Sequence, residues 1–334
     1  MGLARSNLHP KFKKVLDYCV GPLLFVVLTY FIVKNIKETQ NITAAWVEIK
    51  AAFYSHAWLL SILLLLMCVN WGLEAKKWQL LIRPVQKVSL FTGFQAVLSG
   101  LSFSIFIPNG LGEYLGRMMY MQEGKRLRSL SVSFVGSLSQ VIITFITGIA
   151  GTFLLIYPMR MEHSVSGIST LWLKGLLFVL AGITIVLIIL YFKISWIIKW
   201  IEKIPFFKKY IYIIQSLETY DTRLLSKVLF FAFVRYIIFI LQYLLVFFIL
   251  GVEMPVAETM YATASMFLLM AIIPTIPAAE VGVRGELSLQ LFGLLSLNKL
   301  GIISSAILIW LVNLILPALI GSCFVLGIKI FRNK

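Results

Sequence analysis

One apolar run is followed by Pro108-Asn109-Gly110-Leu111-Gly112-Glu113, and a second is followed by Pro277-Ala278-Ala279-Glu280-Val281-Gly282-Val283-Arg284-Gly285-Glu286. The flanking apolar runs predict that the proline, glycine and carboxylate residues of each stretch lie within the membrane. Proline and glycine interrupt helices, and the backbone groups that they free find no water there. Membrane proteins keep such breaks where they are buried in protein or line a wet cavity, commonly the substrate site. The two stretches therefore predict broken helices with a functional site beside them.

The composition is that of a polytopic membrane protein. Of the 334 residues, 60% are hydrophobic and only 13% are charged, whereas soluble domains carry about 25% charged residues. The 30 Lys and Arg residues exceed the 14 Asp and Glu residues, which gives a formal net charge of +16. Such an excess is typical of cytoplasmic loops that face anionic lipid. Nucleic-acid binding is not expected, because no basic segment is long enough to form a separate domain.

Six apolar runs reach the length of about 20 residues that a membrane span needs. They lie at about 18–36, 57–82, 130–156, 171–192, 228–250 and 300–328. Two further apolar runs, at about 89–107 and 256–273, end at the broken motifs, and shorter segments follow at 112–122 and 284–297. The first run has no small-x-small cleavage site, so it is predicted to be a retained span.

Basic residues predict the orientation of the chain. Most of them fall in one set of loops, so both termini are predicted to be cytoplasmic in a multi-pass protein of the cell membrane. The first broken run has basic residues before it, at 83–87, and after it, at 125–128. The chain between them is therefore expected to enter the membrane and return on the same side. The second broken run follows acidic residues at 253 and 258. The chain over 256–297 is therefore expected to enter the membrane from the outer side and to return to that same outer side.

The predicted fold is an all-α polytopic membrane protein with six full transmembrane helices and two re-entrant broken-helix hairpins. Within a single transmembrane domain over 1–334, residues 57–156 and 228–328 each have the order span, hairpin, span. Because the two units start on opposite sides, they form an inverted repeat. The alternative is that both hairpins are tilted full spans without a repeat.

An amphipathic connector and a charged belt are expected at the membrane surface. Residues 193–227 read as a cytoplasmic amphipathic connector, with one helix around Trp196 and Trp200 that ends near Pro205 and a second from Phe206 to Leu217. The cytoplasmic end of the second span is expected to be a charged and aromatic belt. That belt would consist of Glu74, Lys76, Lys77 and Trp78.

The candidate site residues lie at the two breaks and in the fifth span, because charged side chains inside a bilayer are costly and mark function. Glu113 and Arg117 are four residues apart, so they share one helix face. The predicted substrate-binding residues are Asn109, Gly110, Gly112, Glu113, Arg117, Arg235, Glu280, Gly282, Arg284 and Glu286. Uncharged polar neighbours include Asn70, Gln95, Asn109, Gln140, Gln242 and Asn313.

These residue types suit an anionic group. Arginine binds phosphate or carboxylate in bidentate fashion, and the free N–H groups of a broken helix attract anions. The arginines are therefore expected to hold a phosphate or carboxylate, while the glutamates orient them or bind an amine or a coupling proton. The alternative is that the charges only pair with one another and hold the repeat halves together.

No catalytic or metal-binding pattern is present in the sequence. The three cysteines lie in apolar runs, and His9, His56 and His163 are far apart, so no metal-ligand spacing exists. Nucleophile elbows, Walker loops and Cys–His pairings are also missing. We expect neither an enzyme nor a cofactor or metal.

The motifs resemble those of the lysylphosphatidylglycerol synthase membrane domain family, also called flippase-like proteins. Lys77-Trp78-Gln79-Leu80-Leu81 is similar to its basic-Trp-x-x-Leu element, and 108–113 with Arg117 is similar to its Pro-x-Gly-x-Gly-Glu-x-x-Arg element. Residues 274–285 resemble its second Pro-rich and Gly-rich element, and the spacing between elements also fits. The resemblance covers nearly the whole chain, without the soluble synthase domain that some members append.

Two positions depart from the family pattern. Ala278-Ala279-Glu280 stands where the family has Gly-Gly after proline, and Ser139-Gln140 stands where the family often has Glu-Arg. The resemblance implies lipid translocation rather than lipid aminoacylation, and the departures leave the headgroup open.

The expected function is translocation of an anionic or zwitterionic membrane lipid through a polar cleft between the hairpins. Membrane lipids are thus the expected partners, and a homo-oligomer is possible. The alternatives are an accessory of a lipid-linked sugar transferase and a small-anion transporter.

Overall fold

The computed structural model describes residue 30 and residues 42–105, 110–156, 170–204, 210–273 and 277–326 of the chain. Within these residues the protein is all-helical, as predicted. In chain order the described α-helices are α1 Ile42–Ser55, α2 Ala57–Ile82, α3 Leu90–Ser104, α4 Leu111–Met119, α5 Arg126–Ile156, α6 Thr170–Phe192, α7 Ile194–Ile201, α8 Thr222–Ile249, α9 Val256–Ile272, α10 Pro277–Phe292, α11 Lys299–Trp310 and α12 Leu316–Leu326.

Five described helices are long and apolar enough to cross a membrane, which makes the chain a multi-pass membrane protein. They are Ala57–Ile82, Arg126–Ile156, Lys174–Phe192, Thr222–Ile249 and the continuous helix Lys299–Val325. They correspond to five of the six predicted spans. The other predicted span, 18–36, lies almost entirely outside the described residues.

The helices α3 and α4 form a closely packed antiparallel hairpin, hereafter hairpin one. With 15 residues, α3 is about 22 Å long, shorter than the bilayer core of about 30 Å. A Cβ on Gly112 would lie 2.4 Å from the carbonyl of Phe103, so only glycine lets the two backbones touch here. The open ends of the hairpin meet where the Gln122 N–H donates to Gln86 Oε1 at 3.1 Å.

The helices α9 and α10 form a second antiparallel hairpin, hereafter hairpin two. Here α9 has 17 residues and is about 26 Å long. Ser288 Oγ on α10 contacts Met266 Sδ on α9 at 3.4 Å. The open ends meet where Asn298 Nδ2 donates to the Gly251 carbonyl at 3.3 Å. In each hairpin, the return arm therefore brings the chain back to the end of the molecule at which the first arm begins.

The helices α2 and α8 cross as an antiparallel pair. Arg235 Nε donates to Asn70 Oδ1 at 2.8 Å near their midpoints, and Gln242 Nε2 on α8 approaches the Leu63 carbonyl at 3.5 Å. Because α2 leads into hairpin one and α8 leads into hairpin two, the open ends of the hairpins lie at opposite ends of the molecule.

The two halves of the chain also pack reciprocally. On α5, a Cβ on Gly148 would lie 2.5 Å from Leu268 of α9, and on α12, a Cβ on Gly321 would lie 2.0 Å from the Leu98 carbonyl of α3. The first arm of each hairpin thus packs against the last span of the other half. This arrangement agrees with the predicted inverted repeat. The repeat and the re-entrant depth of the hairpins stay predictions.

The structure corrects two local predictions and adds one helix that was not predicted. The return arm of hairpin two begins at Pro277 rather than 284, because proline is favoured in the first helical turn and Ala-Ala-Glu follows it. The prediction of a second connector helix from Phe206 to Leu217 is also wrong, because the described residues 210–219 form short 3₁₀ turns instead. The helix α1 was not predicted, and it packs against α2 and α11.

The last span contains a π-helical turn at Leu311–Ile315 that the apolar pattern did not reveal. Pro317 lacks the N–H that would bond the carbonyl of residue 313, and its ring crowds that carbonyl. The wider turn relieves this conflict, and it displaces Asn313 within the span. Such π-bulges occur frequently at functional sites.

The hairpin geometry predicts which residues share a side of the membrane. Single cysteines replacing the exposed Lys87 and Glu123 should react with a membrane-impermeant maleimide from one side, and cysteines replacing Glu253 and Leu297 should react from the other. The background variant would lack the native cysteines. Labelling of 87 and 123 from opposite sides would show that hairpin one is a full span.

Candidate functional site

Glu74 on α2 is the centre of a buried ion network. Its Oε1 accepts a hydrogen bond from Arg117 Nη2 at 2.9 Å, and its Oε2 accepts one from Lys77 Nζ at 2.7 Å and one from Arg235 Nη1. All four side chains are buried. One carboxylate therefore compensates three cations from α2, α4 and α8 in a region where a lone charge would be costly.

The remaining donors of the network reach further helices. Arg117 Nη2 also donates to Glu113 Oε2 at 2.9 Å, as the predicted shared face requires, and Lys77 Nζ donates to the Gly136 carbonyl of α5 at 3.2 Å. The Arg235 guanidinium lies 5.3 Å from the ring centre of Trp71, within cation–π range. The network thus fixes hairpin one, α5 and α8 against α2.

The start of α4 places Glu113 at the edge of this network. Gly110 has φ +70°, a left-handed conformation that is costly for residues with a Cβ. The helix begins at the next residue, so Glu113 falls in its first turn, where a carboxylate is stabilised by the helix dipole. The Pro-x-Gly-x-Gly-Glu pattern therefore encodes a turn, a close backbone contact and an oriented carboxylate.

A cavity of about 410 Å³ lies between the two hairpins. Hairpin one contributes Leu101 and Glu113, and hairpin two contributes Glu280 and Arg284. The side chains of Glu113 and Glu280 are 29% and 23% exposed, so each carboxylate can meet a bound molecule. The other charged and polar residues of the wall are Gln140, Thr144, Arg235, Tyr236 and Asn313.

The charged pair of hairpin two repeats the pattern of hairpin one. Glu280 lies in the first turn of α10, and Arg284, one turn later, donates to it. Arg284 Nη1 also donates to the buried Tyr243 hydroxyl of α8 at 2.8 Å. Because each hairpin has its own carboxylate in the first turn, an anion at either helix start would meet that carboxylate as well as the free N–H groups.

Several polar atoms around the cavity lack partners among the described residues. The indole N–H groups of Trp71 and Trp310 are buried without an acceptor, and the side-chain amides of Gln140 and Asn313 each have one unpartnered buried oxygen. All four residues line the cavity. A buried polar group without a partner costs about 1–3 kcal/mol, so a ligand that satisfies these groups would be stabilised.

The predicted site residues separate into three groups. Glu113, Arg235, Glu280 and Arg284 come together at the cavity, although Glu113 and Glu280 are 167 residues apart in sequence. Arg117 lies in the ion network and is not among the wall residues. The sequence left open whether these charges line a binding site or only pair with one another. In the structure they do both, because Glu113, Arg235, Glu280 and Arg284 are ion-paired and also line the cavity.

The remaining predicted residues do not reach the cavity wall in the described part of the chain. Gly110 and Gly112 shape hairpin one. Gly282 and Glu286 are exposed, and Glu286 accepts a hydrogen bond from Gln290 at 2.9 Å. Asn109 lies outside the described residues.

The interpretation of residues 74–78 as a surface belt is wrong for three of its four residues. Glu74, Lys77 and Trp78 are buried, and only Lys76 is exposed. Asn70, Glu74 and Lys77 have the spacing i, i+4, i+7, which places them on one face of a helix. That spacing could have indicated the burial of Glu74 and Lys77, since the polar residues of a surface belt need not share one helix face.

Removal of the Glu74 charge should destabilise the protein severely. Glu74→Gln leaves three buried cations without their carboxylate, and breaking a buried ion pair costs about 3–5 kcal/mol. The thermal unfolding midpoint in detergent should fall clearly, while the matched variant Glu123→Gln at an exposed position should leave it unchanged. Equal midpoints for the two variants would contradict the central role of Glu74.

A family model described as Lysylphosphatidylglycerol synthase TM region matches residues 19–321 of the chain. The match covers nearly the whole chain and confirms the resemblance that the motifs indicated. No curated protein matches the chain.

Proposed function

The chain belongs to the lysylphosphatidylglycerol synthase TM region family, and we propose that it is an integral membrane lipid translocase. A lipid with an anionic or zwitterionic headgroup would place that headgroup in the cavity between the hairpins while its tails remain in the bilayer. Transport rather than catalysis is proposed, with both termini in the cytoplasm.

The observation that carries the proposal is the composition of the cavity wall. Glu113, Arg235, Glu280 and Arg284 meet there from both halves of the chain. The same wall includes apolar residues such as Leu101 and Phe267. Charged groups favour a polar headgroup, and the apolar part of the wall suits the beginning of the acyl chains. Transporters commonly bind substrate at such a repeat interface near the bilayer midplane.

The repeat positions support a mechanism of alternating access. Asn70 and Arg235, which bond to each other, each hold the fourteenth position of their helices, α2 and α8. Gln140 and Asn313 both lie in the cavity wall. Gln140 is the fifteenth residue of α5, and Asn313 is the fifteenth residue of the last span, counted from Lys299 through α11 into the π-helical turn. Equivalent positions of the two halves therefore meet at the α2–α8 crossing and in the cavity wall. Rocking of one half about the α2–α8 crossing would open the cavity to each side in turn.

The cavity wall differs from the family pattern in two places, at Gln140 of α5 and in hairpin two. In hairpin two, Ala278-Ala279-Glu280 stands where the family has Gly-Gly after proline. Glu280 pairs with Arg284, which is only 15% exposed. Because this pair faces the cavity on the element opposite the Glu74 network, we propose that it contacts the headgroup and contributes to its selection.

Loss of the Arg284 guanidinium should slow lipid translocation. In vesicles containing the protein and fluorescent phospholipids, Arg284→Gln should reduce the rate of label exposure to dithionite at least about tenfold, the equivalent of 1.4 kcal/mol from a lost charge-assisted hydrogen bond. Arg223→Gln, at an exposed position of α8, should retain the rate of the unmodified protein.

The same vesicles separate the alternatives. Flux of a soluble anion such as phosphate without lipid movement would identify a small-anion transporter. Movement of neither lipid nor anion, with the protein shown to be folded, would contradict a transport function and favour a role as an accessory to a lipid-modifying enzyme.

A further inference from the structure

We propose that the cavity selects a headgroup with one net negative charge and hydroxyl groups, namely a phosphodiester that bears a polyol. Zwitterionic and cationic headgroups would be disfavoured. This inference rests on the proposed function, because it names the headgroup class that the translocase would take.

The site has an excess of one positive charge. The ion network and the cavity wall together contain four cations and three carboxylates among the described residues. These are Lys77, Arg117, Arg235 and Arg284, and Glu74, Glu113 and Glu280. The breaks at 106–109 and 274–276 contain no ionisable side chain. One positive charge is thus left over, which is costly at membrane depth, and a ligand with one net negative charge would balance it.

Glu286 does not alter this balance. It is exposed and bonded to Gln290 rather than facing the cavity. It follows Arg284 by two residues, which places it about 200° away around the helix.

The cavity wall offers hydrogen-bond donors and acceptors to a ligand. The indole N–H groups of Trp71 and Trp310 can only donate, and they lack acceptors among the described residues. Together with Arg235 they favour the acceptor oxygens of a phosphodiester. The partly exposed carboxylates of Glu113 and Glu280 can only accept, so they favour hydroxyl donors at the distal end of the headgroup.

Other headgroup classes satisfy these requirements less well. Phosphatidylethanolamine offers donors to the carboxylates, but its zero net charge leaves the excess positive charge in place. Lysylphosphatidylglycerol has one net positive charge, which would raise the excess to two. Phosphatidylglycerol has one negative charge and two hydroxyl groups, and it satisfies both requirements.

Lipid competition tests this selection. The purified protein would be equilibrated in neutral detergent with equal amounts of phosphatidylglycerol, phosphatidylethanolamine and lysylphosphatidylglycerol, and the retained lipids would be quantified by mass spectrometry. We expect phosphatidylglycerol to be retained about tenfold over each competitor, as a difference of about 1.4 kcal/mol gives. Added glycerophosphoglycerol should displace it, and inorganic phosphate at the same concentration should not.

Two variants that remove the excess charge should reverse the preference. Arg284→Gln deletes a cation, and Asn313→Asp adds a carboxylate with almost no change of shape, so either variant brings the site to neutrality. Both should raise the share of phosphatidylethanolamine, while Arg223→Gln should preserve the original ratio. The Asn313→Asp variant keeps the test decisive if Arg284→Gln does not fold.

The outcomes distinguish the inference from the function that it rests on. Retention of a zwitterionic or cationic lipid at or above the level of phosphatidylglycerol would overturn the charge selection and leave the translocase intact. Displacement by inorganic phosphate alone would overturn the role of the polyol. If no lipid is retained above its share in the mixture and no labelled lipid moves in vesicles, the proposed function itself fails.

Discussion

The pairing of Glu74 with three cations is the interaction on which the rest of this structure depends. Lys77, Arg117 and Arg235 come from three helices and meet at one buried carboxylate. Desolvation makes each of these charges costly alone, so the helices can pack only in the arrangement that brings all of them to Glu74. That arrangement sets the α2–α8 crossing and the position of hairpin one, and it leaves Glu113 at the edge of the cavity.

The two hairpins then decide where the cavity lies. Glycine contacts hold α3 and α4 together along their backbones, whereas α9 and α10 touch through side chains such as Met266 and Ser288. The charged pair of hairpin one is anchored to α2 through Glu74, while that of hairpin two is anchored to α8 through Tyr243. The cavity is therefore enclosed by two similar hairpins with different supports, which gives its two sides different chemistry.

Sequence patterns located the breaks because proline and glycine act locally on the backbone. The same is true of Glu113 with Arg117, whose spacing alone places both on one helix face. The connector was harder to predict, since between the end of α6 and the start of α8 only α7 is an α-helix among the described residues, and short 3₁₀ turns follow it. Glu74 was misassigned for a different reason. Lipid and protein interior are equally apolar, so hydropathy identifies a span without showing which of its faces meets other helices.

The sequence by itself determined the membrane class, the approximate spans, the two broken helices and the family, because each depends on composition or on residues close together in the chain. Tertiary structure decided that Glu74 and Lys77 are buried, that Arg235 joins them, and that Glu113 and Glu280 face one cavity. These facts depend on the antiparallel crossing of α2 and α8. No local pattern encodes that crossing, because the ion network that fixes it forms only when helices distant in sequence come together.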